Sequence, residues 1–173
     1  MAKCAAEAGR KVLVIDCNLR RPGLTEKLKL SGAAGLAEIL RGEIEPERAV
    51  VQSALEGVPV IASGAAGSGM SLLLMESGMQ KLMSWAEQFD LVLLDGPAAA
   101  GLPDAGILAQ SAAGLLWCAQ WGRAQRSDVK AALDGMAKPG VKVLGFAVNQ
   151  VRPEEMRFYE RPRLYGSLYE ARR

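Results

Sequence analysis

Lys11-Val-Leu-Val-Ile-Asp16-Cys-Asn18-Leu-Arg20-Arg21-Pro22 is the stretch whose reading decides the fold. Four consecutive apolar residues, β-branched or Leu, close on a carboxylate and then on a basic turn. An unbroken apolar run of that length, without polar alternation, marks a parallel strand buried on both faces. Asp90-Leu-Val-Leu-Leu-Asp95 repeats the pattern later in the chain. Two such strands ending in acids predict an α/β fold, a parallel sheet flanked by helices.

The remaining segments agree. Ala2–Ala8 is Ala-rich and stops at Gly9, so a helix is expected before the first strand. Leu24–Leu30 and Leu36–Leu40 read as short helices separated by Gly32 and Gly35, and Val58–Ala62 as a short strand running into Gly64-Ala-Ala-Gly-Ser-Gly69. Between Met70 and Gln88 the spacing is helical, with Leu73, Met79, Leu82, Met83 and Trp85 on one broad face. Asp104–Gln110 is expected as a short helix, Gly114–Ala119 as a buried strand, Ser127–Ala137 as a helix capped by Ser127, and Val141–Val148 as the last strand. Strands alternating with helices imply right-handed crossovers, with ligands held beyond the C-terminal strand ends. Asp16, Asp95 and Asn149 all fall at such ends. Residues 1–150 read as one domain and 151–173 as a flexible tail rich in Arg and Tyr.

Composition narrows the chemistry. The 173 residues are 50% hydrophobic and carry 21 basic against 19 acidic side chains, interleaved, for a net charge of +2. Nothing forms a nucleic-acid-binding stripe. No histidine is present, which excludes Ser-His-Asp and Cys-His catalysis and most zinc sites. Cys4, Cys17 and Cys118 are widely spaced and odd in number, the pattern of reduced thiols in the cytoplasm. No apolar run approaches the roughly 20 residues of a spanning helix, and Met1–Gly9 has no signal-peptide centre.

Asp16 and Asp95, projecting into one crevice, are the hard oxygen ligands that suit Mg²⁺ or its bound waters. Each acid taken alone is equally well read as a cap on the turn that follows it. The residues around the pair sharpen the reading. Val-Leu-Val-Ile-Asp16-Cys-Asn18-Leu-Arg20-Arg21-Pro22 resembles the second nucleotide-site motif of the bacterial tyrosine kinases of capsule and exopolysaccharide export, an apolar strand followed by D-x-D-x-R-R-P. Leu-Val-Leu-Leu-Asp95-Gly-Pro97 resembles their Walker B motif. Gly35-Leu-x-x-x-Leu40-x-Gly42, Val60-Ile-Ala-Ser-Gly64, Gly145-Phe-Ala-Val-Asn149 and a C-terminal tyrosine cluster fall in the family's order. These kinases lie within the P-loop ATPases that include the MinD and ParA proteins of cell division and plasmid partition.

The resemblance implies Mg²⁺ and ATP as cofactors. It implies Asp16, Asn18 and Asp95 as catalytic positions, with Asp16 and Asp95 managing the metal. Asn149 and Arg20 would lie toward the nucleotide, and Tyr159, Tyr165 and Tyr169 would be phosphoacceptors. It also implies a membrane adaptor of polysaccharide export as partner, a homo-oligomer exchanging tails, and a cytoplasmic protein brought to the membrane by its adaptor.

Three departures qualify it. No G-x-x-x-x-G-K-[ST] occurs in the 173 residues. The helix Ala2–Ala8 occupies the place of the family's P-loop helix, so the first strand and phosphate loop are expected to be lacking. With them go the amides, lysine and hydroxyl that hold phosphates and Mg²⁺. Asn18 stands where the family has a second Asp, and an amide neither takes a proton nor neutralises a cation. Gly96-Pro97-Ala98 has one proline where two are usual. Gly64–Gly69 lies between a strand and a helix but has no lysine, and its glycines read as turn formers.

Arg20 and Arg21 read either as phosphate or subunit contacts or as a solvated loop. In the tail, Tyr159, Tyr165 and Tyr169 interleave with Arg157, Arg161, Arg163 and Arg172, while Glu154, Glu155, Glu160 and Glu170 dilute the positive field, so nucleic acid is not an expected partner. The expected function is thus a protein-tyrosine kinase-like ATPase regulating exopolysaccharide or capsule polymerisation and export, inactive alone. A phosphoacceptor or scaffold subunit, or a fragment of an active kinase, stand as alternatives. Without an internal first strand, unpaired backbone and apolar surface are expected to cause association or low stability.

Overall fold

The computed structural model describes residues 1–52, 55, 57–65, 74, 77–99, 103–136 and 141–152. Leu73, most of the glycine-rich run and the tail tyrosines Tyr159, Tyr165 and Tyr169 lie outside them.

In chain order the elements are α1 (Ala2–Glu7), β1 (Val12–Asp16), α2 (Gly23–Lys27), α3 (Leu36–Leu40), α4 (Pro46–Ala49), β2 (Val50–Gln52), β3 (Pro59–Ile61), α5 (Ser77–Ala86), β4 (Leu91–Asp95), α6 (Asp104–Ala109), β5 (Leu115–Gln120), α7 (Arg126–Met136) and β6 (Val143–Asn149). β1, β3 and β4 run parallel, and β2 adds an antiparallel edge, in the order β2-β3-β1-β4. All five residues of β1 are buried, as its unbroken apolar run requires.

Each face of this sheet has its own core. Leu13 and Ile15 join Leu36, Ile39 and Leu40 of α3 and Met79 and Leu82 of α5. Val12 and Val14 join Val58 and Val60, against which Ala2, Ala5 and Ala6 of α1 and Leu24 of α2 pack. Helices therefore cover both faces, the layering expected of parallel strands. Burying a side chain such as Leu13 or Ile15 contributes about 1.5–3 kcal/mol.

Three expectations need correction. The strand predicted over Gly114–Ala119 is present as β5 but is not buried. It pairs in parallel with β6 as a separate two-stranded sheet, on which Leu144 is 61% and Phe146 52% exposed. Among the described residues β4 forms a ladder only with β1, and β5 only with β6. A two-stranded sheet without a strand on its other edge has too little apolar cover to bury its strands. Ser127 is not the cap of α7, since the helix already includes Arg126, and its hydroxyl instead lies 3.3 Å from Asp128 Oδ1. The helix expected over Leu24–Leu30 stops at Lys27, because Lys29 adopts a left-handed φ of 57°.

Candidate functional site

β1 and β4 align residue for residue, from Val12 opposite Leu91 to Asp16 opposite Asp95. The Cys17 N–H donates to the Asp95 carbonyl at 2.9 Å and extends the ladder one step past both acids. The two carboxylates thus leave adjacent strand ends side by side, on the face that carries Val12 and Val14.

Their surroundings differ. Asp16 is fully buried. Its Oδ1 accepts the Asn18 N–H at 3.1 Å, and its Oδ2 accepts both the Thr25 N–H at 2.8 Å and the Thr25 hydroxyl at 2.7 Å. Thr25 Oγ1 in turn accepts the buried Ser63 N–H at 2.9 Å. Asp95 is exposed, and no donor among the described residues bonds to its carboxylate. Partial burial raises its pKa above the ordinary carboxylate value, the neighbouring Asp16 raises it further, and Lys27 works against both. Cys17 is buried beneath the pair. Burial first, then the charges of Asp16 and Asp95, pushes its thiol far above the usual range, so it stays protonated and is no nucleophile.

The loop after β1 is held from both ends. Asn18 Oδ1 accepts the Arg21 N–H at 3.1 Å, so the side chain closes its own turn. Arg20 Nε lies 2.6 Å from Oδ2 of Asp104, a buried acid at the start of α6. That pair links the loop after β1 to the helix that follows the β4 loop. Asp104 was legible only as a helix start. Nothing in sequence marks an arginine 84 positions earlier as its partner.

Just past the same C-terminal end of β3, Glu38 of α3 accepts the Gly35 N–H at 2.7 Å and the Ala65 N–H at 2.9 Å. Its partial burial favours the neutral form, but these N–H groups and Arg41 outweigh it and hold its pKa below the ordinary value. Arg41 reaches the Ala65 carbonyl at 3.1 Å. Gly35 approaches the Ala62 carbonyl so closely that a Cβ would overlap it. Asn149 closes β6 in the second sheet, where its carbonyl accepts the Trp121 N–H at 3.0 Å. The structure therefore brings Asp16, Asn18, Arg20 and Asp95 to one end of the main sheet and places Asn149 on the other sheet.

Over 153 residues the chain is 29% identical to the tyrosine-protein kinase ptk of Acinetobacter johnsonii, an alignment taking in 88% of this chain and 21% of that protein. The kinase domain of the Escherichia coli tyrosine kinase ETK matches the fold with a TM-score of 0.79 at 28% identity, over 87% of this chain and 61% of that one. The chain is homologous to the bacterial tyrosine-protein kinases. It spans about a fifth (21%) of the length of the curated relatives it matches. The fold is also that of the cell division ATPase MinD of Pyrococcus furiosus, with a TM-score of 0.69 at 23% identity over 89% of this chain and 68% of that one. No family model matches the chain.

The tyrosine-kinase fold implies Mg·ATP, and the residues present do not fit it by themselves. Asp95 offers an open carboxylate, but the oxygens of Asp16 are turned to Thr25 and Asn18. Among the described residues no group of three acidic or thiol side chains is placed to hold a metal. The 173 residues contain no G-x-x-x-x-G-K-[ST], and so no phosphate-loop lysine. No described helix is long and apolar enough to cross a membrane.

Proposed function

We propose that this chain serves tyrosine phosphorylation in exopolysaccharide and capsule export as a kinase-fold acceptor and scaffold, and does not transfer phosphate on its own. The observation that carries the reading is the state of the acid pair. Asp16 and Asp95 end adjacent parallel strands side by side, yet three hydrogen bonds from its own chain hold Asp16, and no lysine loop occurs in the 173 residues. Without amides and a lysine around the phosphates, the electrostatic stabilisation that phosphoryl transfer depends on is missing. Asn18 reinforces this, because its amide is occupied in the Asn18–Arg21 turn and has no proton-accepting chemistry.

On this reading the tail, residues 151–173, offers Tyr159, Tyr165 and Tyr169 to the active site of a competent kinase. Each phosphate adds a charge of about −1.5 to −2, and the tail's arginines are at hand to pair with it. The partners are a catalytically complete tyrosine kinase and a membrane adaptor of the export system, with the chain on the cytoplasmic side. The test is to incubate the chain with Mg·ATP, alone and with an active bacterial tyrosine kinase, and to map phosphotyrosine by mass spectrometry. Phosphate on the three tail tyrosines only when the kinase is added is expected. Self-phosphorylation of the chain alone, or silent tyrosines with the kinase present, contradicts it.

A further inference from the structure

We propose that Thr25 is a positioning residue for the acid pair: it fixes Asp16 as a buried carboxylate held by three hydrogen bonds and leaves Asp95 as the one acid of the pair open to a ligand. The inference goes beyond the acceptor function and stands on hydrogen bonding alone, so it survives if the tail tyrosines prove silent.

The proton positions follow from donor and acceptor chemistry. The Ser63 N–H can only donate, so Thr25 Oγ1 accepts it at 2.9 Å. A hydroxyl has a single proton, and the contact of 2.7 Å assigns that proton to Asp16 Oδ2. Oδ2 already receives the Thr25 N–H, and Oδ1 receives the Asn18 N–H. An ionised carboxylate has about four acceptor positions, so three are filled. With the side chain fully buried, no route from solvent leads to the fourth. Among the described residues no buried polar side-chain atom of the chain lacks a partner.

The knot also joins elements. Asp16 ends β1, Thr25 belongs to α2, and Ser63 follows β3. Ser63 in turn accepts the Ala37 N–H of α3 at 2.9 Å, beside the Leu36 N–H that donates to Ala62 at 2.8 Å. Thr25 thus ties the floor of the cleft to both flanking helices, and Asp16 acts there as a fixed charge rather than as a movable ligand. Asp95, one strand over, is exposed and can meet a cation or a proton from solution.

Carbodiimide coupling of glycinamide to the 173-residue chain, read by peptide mass, reports which carboxylate solvent reaches. In the parent chain Asp95 should label at least about tenfold faster than Asp16, since only an opened knot exposes Asp16. Thr25→Val removes the hydroxyl at constant shape. It should raise Asp16 labelling at least about fivefold and lower the hydrogen-exchange protection of the Ser63 amide about tenfold, with the Leu82 amide in the core unchanged. Thr25→Ser should return both readings to within about twofold of the parent. Equal labelling of Asp16 and Asp95 in the parent chain overturns the proposal. So does a Thr25→Val protein that keeps parental values at Asp16 and Ser63, or a Thr25→Ser protein that fails to restore them. If Thr25→Val does not fold, the parental ratio and Thr25→Ser decide.

Discussion

Asp16 and Asp95 stand directly opposite each other at the ends of two parallel strands, one buried and bonded by Thr25 and Asn18, the other exposed. That asymmetry sets the electrostatics of the cleft. Folded Asp95 holds its proton more tightly than unfolded Asp95, because partial burial and the neighbouring Asp16 both disfavour its charge. Its contribution is therefore nil below the unfolded pKa and becomes a destabilisation as pH rises through the raised folded value. Asp95→Asn should stabilise the chain at pH 7, by less than about 1 kcal/mol after solvent screening, and should have no effect near pH 3. Urea unfolding at the two pH values measures this.

Glu38 carries the opposite sign. Its carboxylate is stabilised in the folded state by the Gly35 and Ala65 N–H groups, so its pKa is depressed. The stability it supplies is present above the unfolded glutamate value and is lost as pH falls through the depressed folded one. Glu38→Gln should cost about 1 kcal/mol at neutral pH and little at pH 3. Thermal unfolding of the two proteins across that range gives the comparison.

Arg20 and Asp104 lock the loop after β1 to α6 across 84 positions of sequence. Asp104 is buried, while the Arg20 side chain is 44% exposed, which tempers the cost of breaking the pair. Arg20→Ala should destabilise by about 1–2 kcal/mol, between the exposed and buried limits for ion pairs. A double-mutant cycle with Asp104→Asn should recover part of that loss, because the second change removes the stranded charge.

Gly35 has no room for a side chain. Its α-carbon faces the Ala62 carbonyl, a backbone group that cannot rotate away, and Gly35 opens the helix that Glu38 caps. Gly35→Ala should cost about 1–3 kcal/mol and push the β3 end away from α3. Circular dichroism melts and the exchange rate of the Leu36 amide, which bonds the Ala62 carbonyl, follow this.

Much of this was legible in the chain itself. The run Val12–Asp16 identifies itself, because a strand covered on both faces must be apolar at every position; Leu91–Asp95 has the same pattern and forms its strand but is only half-buried, as β4 is an edge strand among the described residues. The helices of α1, α3 and α6 fall where periodicity and caps place them. Other features depend on contacts that sequence does not encode locally. β2 is a three-residue edge strand whose pairing with β3 is decided by a hairpin rather than by a pattern. The exposure of Leu144, Phe146 and Val148 is invisible in an apolar run, because burial requires a neighbour and none pairs with β5 beyond β6 among the described residues. Asp16 was legible as a strand-end acid, but only coordinates reveal that Thr25, nine positions on, claims its oxygens.

That apolar sheet has a measurable consequence. Leu144, Phe146 and Val148 are each more than half exposed, and two strand edges are without a ladder among the described residues. Such surface promotes association. Light scattering should detect concentration-dependent oligomers, and Phe146→Ser should shift them toward monomer. A stable monomer at high concentration contradicts the prediction.

The central claim is that these 173 residues, with Asp16 held by Thr25 and Asn18 and no lysine loop in their sequence, do not bind Mg·ATP by themselves. Isothermal titration of the chain with Mg·ATP and with Mg·ADP tests it most directly. No saturable heat is expected from either nucleotide, whereas binding with micromolar affinity would contradict the account.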